Sequence, residues 1–332
     1  MAELVAAILW LALTAYAVLA GADFGGGVWD ALARGPRAAE QRRAVAEAMG
    51  PVWEANHVWL IFLIVGLFTA FPIAFGVLAL ALTVPFTIAL AGIVLRGAAF
   101  AFRAHGQEAV GPLSPWGAVF GMASIVSPLF LGTAAAAVAS GAIRAPGGTL
   151  LTGFFTGWNS PLALVIGLFA VAICAYLAAT YLMVETADRP ALQADFRRRA
   201  VVASVASGTL GLAALALAWV QAPRLIDSLT GRGLPLLVLA LLNGPLALWA
   251  VWRLHPLVAR TAVAAQVTLV LWALAVGQWP FLVPPDLTIA GTAAPRATLA
   301  GMLIVTGAGL VVLLPSLWLL FRVFKARNPA AV

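Results

Sequence analysis

GADFGGGVWD, residues 21–30, and PVWEANHVWLI, residues 51–61, set ionisable side chains into apolar runs covering roughly 3–30 and 52–71. A bilayer-spanning helix needs about 20 mostly apolar residues, and both runs meet that length. Seven further runs do so: 75–102, 115–140, 160–186, 199–221, 234–253, 261–280 and 298–322, with a tight turn at Phe71 and Pro72 separating the second span from the third. Only 9% of the 332 residues are charged and 63% are hydrophobic, whereas a soluble surface takes roughly 25% charged residues. No stretch between spans is long enough for a soluble domain. The expected fold is therefore all-α, one polytopic membrane body over residues 1–332 with about nine transmembrane helices; the expected arrangement of these is two helix bundles plus a peripheral helix.

The basic residues set an orientation. With nine spans, four of the 19 Lys and Arg (Arg144, Arg224, Arg232 and Arg296) fall on one side and the remaining 15 on the other. By the positive-inside rule the richer side is cytoplasmic, which puts the N-terminus outside and the C-terminus inside. The net charge of +7 is then a topology signal with a secondary attraction to anionic lipid, and no nucleic-acid partner is implied. Glu3 stands where a signal peptide carries Lys or Arg, so the first segment is read as a retained span. Segment 36–49 pairs Arg43 with Glu47 at i,i+4 and is expected to be a short helix on the cytoplasmic surface.

A charge in hydrocarbon costs ~2.5–3.5 kcal/mol on insertion scales, so an intramembrane acid points to function. Asp23, late in the first span, and Glu54, at the start of the second, come to similar depth because their helices run in opposite directions. Arg96 in the third span reaches that level as a charge partner, and His57 lies one turn after Glu54. Together they read as a proton path from the cytoplasm. Glu54 also suits a helix start, with Pro51 at the first helical position and an acid in the first turn. Gly21, Gly25 and Gly27 allow close helix packing, while Asn56 with Trp53 and Trp59 completes the second motif. Thr180, Tyr181 and Glu185 occupy the inner part of the fifth span. The one cysteine, Cys174, is a buried apolar side chain, and the three histidines (His57, His105 and His255) do not make a haem-ligand set or another metal site. At the outer end of the eighth span Pro280, Pro284 and Pro285 break the helix, and Trp279 and Phe281 suit the interface, facing lipid or quinone.

These motifs, continued by LRGAAFAFR (95–103), ATYLMVET (179–186) and GQWPFLVPPD (277–286), resemble subunit II of the cytochrome bd-type quinol oxidases over essentially the whole chain. The resemblance implies an electrogenic, non-pumping quinol:O2 oxidoreductase of the bacterial inner membrane. Its obligate partner, subunit I, carries haems b and d, and a small single-helix accessory subunit is a further partner. This chain alone is then expected to bind no cofactor, with room left for a bound quinone, and to hold no catalytic residue. It contributes assembly and proton supply, with Glu54 at the acidic position of W-[DE]-x-N and Asp23 as the acid of the glycine-rich motif. His57 departs from the pattern of many members. Two other readings stay open: a secondary transporter, and a structural partner whose Asp23 and Glu54 are salt-bridged to Arg96.

Overall fold

The computed structural model describes residues 1–50, 53–105 and 115–325. Among these, nine helices are long and apolar enough to cross a membrane: α1 (Ala2–Ala31), α3 (Trp53–Ala70), α5 (Thr83–His105), α6 (Pro115–Ala139), α7 (Pro161–Glu185), α8 (Pro190–Gln221), α10 (Leu234–Trp252), α11 (Pro256–Gln278) and α13 (Arg296–Lys325). Four shorter helices connect them: α2 (Ala38–Met49), α4 (Pro72–Ala81), α9 (Pro223–Thr230) and α12 (Ile289–Thr292). Six of the helices begin on proline, whose missing N–H and fixed φ suit a first helical position. Ser160 reinforces one of these starts by accepting from the Ala163 amide at 3.1 Å. Pro51 lies outside the described residues.

α1, α6 and α7 form the middle of the molecule, and half of the apolar windows of α6 and α7 is buried. On one side α3 packs against α1 and α5 against α6; on the other α8 and α11 pack against α7, and α10 packs against α11 and α8. α13 packs mainly on α3 and α1, and 6% of its window is buried. Two bundles sharing a central seam, with one peripheral helix, is the arrangement expected from sequence.

Two boundaries differ most from the hydropathy reading, and the expected proline break takes a definite form. The run at 75–102 is broken at Leu82, between the ten-residue α4 and α5. Pro85 has no N–H to offer the carbonyl of Ala81, so one continuous helix fails there and a new one starts with proline in its first turn. α8 begins at residue 190 rather than 199; its charged first turns lower hydropathy without breaking the helix, and at about 48 Å it outruns a 30 Å hydrocarbon core. After Gln278 the proline-rich stretch forms a two-stranded hairpin, Phe281–Val283 against Leu287–Thr288, with Phe281 opposite Thr288. Its turn carries Asp286, which accepts from Arg144 at 2.9 and 3.1 Å and from the Ala145 amide at 2.8 Å.

The end of the bundle that carries α2 is held by a different network. Arg37 at the start of α2 donates to both oxygens of Asp195 on α8 at 2.8 and 2.6 Å, and Gln41 donates to the same carboxylate at 2.8 Å. Arg199 donates in turn to Gln41 and lies over the Trp29 ring. The expected Arg43–Glu47 pair gives way to Arg189–Glu47 at 3.6 Å. Arg43 is exposed, and a pair within one exposed helix has little to set against side-chain entropy when another chain segment offers a partner.

Candidate functional site: a buried aspartate above a polar cavity

The glycine run fixes where Asp23 sits. A Cβ on Gly25 would fall inside the backbone carbonyl of Cys174, and one on Gly27 would collide with Ser124. With only hydrogens there, α1 lies backbone to backbone on α7 and closes on α6. Trp29 locks the same contact by donating its indole N–H to the Ala175 carbonyl at 2.7 Å. Gly21 meets the Leu177 side chain a turn further along.

Pressed into this seam, Asp23 is 4% exposed. The side-chain amide of Asn56, itself buried, donates to Asp23 Oδ2 at 2.8 Å. The first motif and the second therefore meet through this hydrogen bond between α1 and α3. Asp23 and Asn56 both line a cavity of about 120 Å3 that also reaches Tyr181, Glu185 and Arg260 and is covered by Val45 and Met49 of α2. The Arg260 guanidinium lies 4.7 Å from the centre of the Tyr181 ring. Such a space, lined by carboxylates, an amide, a phenol and a cation, can hold a short chain of waters.

The other residues singled out from sequence take separate places. Glu54 is exposed on α3 and does not line the cavity. His57 is enclosed by the rings of Tyr16, Phe24 and Trp53 at 5.8, 5.9 and 6.3 Å. Trp59 packs on the small cluster of Tyr16, Ala20, Phe24 and Cys174. Arg96, 1% exposed, donates from Nε to Ser124 at 3.2 Å and lies over Phe24 and Phe120 at 5.0 and 5.3 Å. An ion pair between spanning helices at this end joins Asp30 and Arg103, bidentate at 3.0 and 3.1 Å.

Sequence reading missed that pair and the cavity role of Arg260. Asp30 follows Asp23 by seven residues and Arg103 follows Arg96 by seven, so the matched spacing on two helices carried the signal. Arg260 had no such mark, because hydropathy assigned it to the membrane surface. Of the two histidines with described side chains, His57 lies among three aromatic rings and His255 is exposed beside Trp249. Among the described residues no three His, Cys, Asp or Glu side chains converge as a metal site.

Residues 1–324 match the family described as cytochrome bd terminal oxidase subunit II. The chain belongs to that family. Among curated relatives, cytochrome bd ubiquinol oxidase subunit 2 of Bacillus subtilis is 33% identical over 92 residues, which is 28% of this chain and 27% of the relative. Cytochrome bd-I ubiquinol oxidase subunit 2 of Escherichia coli K12 is 29% identical over 227 residues, 66% of this chain and 58% of the relative. The matched regions thus span less than two thirds of either relative. The fold is shared with the solved bd oxidase of Geobacillus thermodenitrificans, at a TM-score of 0.76 and 22% identity over 97% of this chain and 98% of the other. Nine spanning helices and this family membership make the chain an integral membrane protein.

Proposed function

We propose that the chain acts as subunit II of a quinol-oxidising, O2-reducing bd oxidase in the bacterial inner membrane, and that its own chemical task is proton supply. The observation that carries this reading is Asp23: a buried carboxylate in a spanning helix, held by Asn56, at a polar cavity next to α2. A membrane protein has no reason to bear the cost of that group for packing alone, since an apolar side chain would pack the seam more cheaply. The lopsided arginine distribution supports the α2 end as cytoplasmic, so the cavity opens the path on the side from which protons are drawn.

Reduction of one O2 to water consumes four protons. Oxidation of two quinols releases four protons and supplies four electrons. If release occurs outside and uptake inside, charge separates across the membrane without a pump. In this scheme the cavity waters deliver a proton to Asp23, and Glu185 and Tyr181 extend the hydrogen-bonding wall beneath it. The Asn56 amide keeps one carboxylate oxygen oriented. The haems supply electron transfer and O2 chemistry from subunit I, whose contact fits the exposed Glu54 face of α3: a carboxylate there is better covered by protein than by lipid.

Coexpression with a candidate subunit I, purification through a tag on this chain, and a reduced-minus-oxidised spectrum test the reading. Copurified b- and d-type haem bands are the expected result. A haem-free chain that purifies alone and moves a solute across vesicles would replace the oxidase with a transporter.

A further inference from the structure

Among the described residues, several buried side-chain atoms have no hydrogen-bond partner, and three of those in the spanning region lie near one another: Tyr16 Oη, His57 Nδ1 and Arg96 Nη2. Tyr16 is 5% exposed and Arg96 1%. The His57 ring lies 5.8 Å from the Tyr16 ring and 5.9 Å from the Phe24 ring, and the Arg96 guanidinium lies 5.0 Å from that same Phe24 ring. The three groups come from α1, α3 and α5, so no single helix's geometry accounts for them. Each adjoins the Asp23 site through a neighbour in sequence or space: Phe24 follows Asp23, and His57 follows Asn56. None of the three lines the cavity on the other side of Asp23.

We infer that Tyr16, His57 and Arg96 hold a cluster of ordered water that continues the proton path from Asp23 toward the middle of the membrane. Buried polar atoms in native proteins are satisfied by protein or by ordered water, and in a bilayer interior bulk water is not at hand to do so. The chemistry of the set suits water rather than an apolar ligand: a guanidinium donates, a phenol donates and accepts, and an imidazole nitrogen does either according to its tautomer. It suits water rather than an anion as well, because Asp23 supplies negative charge beside the guanidinium. Tyr16 stands seven residues from Asp23 on α1, about 10 Å along the helix axis, so the cluster lifts the path by that distance. His57 is the group within it that can bind and release a proton at Nδ1 while its ring stays in place. This inference rests on the proton-supply reading above.

A cryo-electron microscopy map of the purified complex, at a resolution that shows internal waters, tests it directly. Density within hydrogen-bonding distance of Arg96 Nη2, Tyr16 Oη and His57 Nδ1 is expected. A map that shows waters elsewhere in this chain but none at these atoms overturns the cluster, even if Asp23→Asn still slows turnover, and the proton-supply reading then stands without it. Tyr16→Phe, which removes one hydroxyl, is expected to slow O2 reduction several-fold, to raise the solvent hydrogen isotope effect, and to leave the haem spectrum unchanged. His57→Gln, which keeps a hydrogen-bonding group, is expected to retain more activity than His57→Phe. Wild-type rates and isotope effects in both Tyr16→Phe and His57→Phe would remove the cluster from the path.

Discussion

Asp23 and Glu54 come from neighbouring motifs at the same end of neighbouring helices, yet the structure gives them opposite surroundings. Asp23 is sealed in the α1–α7 seam and held by Asn56; Glu54, two residues before Asn56, stands exposed on the other side of α3. Two residues along a helix turn the side chain through about 200°, so a motif that carries both Glu54 and Asn56 must present them to different partners. One acid serves the interior of this chain. The other is exposed on the surface of α3.

That contrast depends first on the glycine seam. Gly25→Ala forces a methyl group into the Cys174 carbonyl, and because backbone cannot swing aside like a flexible side chain, the cost is expected to reach about 3 kcal/mol or more. Loss of the assembled complex, read as haem copurifying with this chain, should follow. Gly76→Ala, where an added Cβ meets nothing within 4 Å, should leave the yield intact. Equal yields from the two variants would mean that α1 and α7 are not in contact as described.

Asp23→Asn comes next in size. The amide keeps the shape and can still bond Asn56 if one of the amides turns over, but it cannot take up a proton at this carboxylate. Quinol-driven O2 consumption is expected to fall at least about tenfold, the low end for losing a positioned proton-transfer group, with haem bands of normal intensity. Glu54→Gln should cost less, a several-fold loss of turnover again with haem retained, because an exposed position admits water or a neighbouring group as a substitute. A larger loss for Glu54→Gln than for Asp23→Asn would reverse the assignment and place the main path along the outer face of α3.

The spans, a short helix within 36–49 and an acid at Asp23 inside a spanning helix followed from hydropathy and charge, both properties of single residues in short windows. The partners did not follow. Depth along a helix predicts which residues share a level, and so it drew Asp23, Glu54 and Arg96 together. It says little about azimuth between helices, and azimuth decides that Asn56 faces Asp23, that Glu54 faces away, and that Arg96, while still within electrostatic reach of Asp23, lies over Phe24 and Phe120. Arg260 joined the cavity for a related reason: its long side chain reaches from a helix end to the Tyr181 face, a path that a hydropathy boundary does not record.

The opposite end of the molecule offers the smallest effect and a control on the others. There Arg144 hydrogen-bonds Asp286 in the hairpin turn and holds its carboxyl below the usual aspartate range, with the Ala145 amide acting in the same direction. A carboxyl whose folded value is depressed adds stability above its unfolded value, near 4, and loses that contribution as the pH falls through the folded value. Arg144→Gln should therefore lower the melting temperature of the complex slightly at neutral pH, and the gap from the natural chain should close on acidification below about pH 4. Because this pair is more than 140 positions apart in sequence but confined to a surface loop, turnover at neutral pH should not change. A loss of turnover in Arg144→Gln comparable to that of Asp23→Asn would show that general loosening of the subunit slows the oxidase, and the slow rate of Asp23→Asn could then no longer be assigned to the proton it carries.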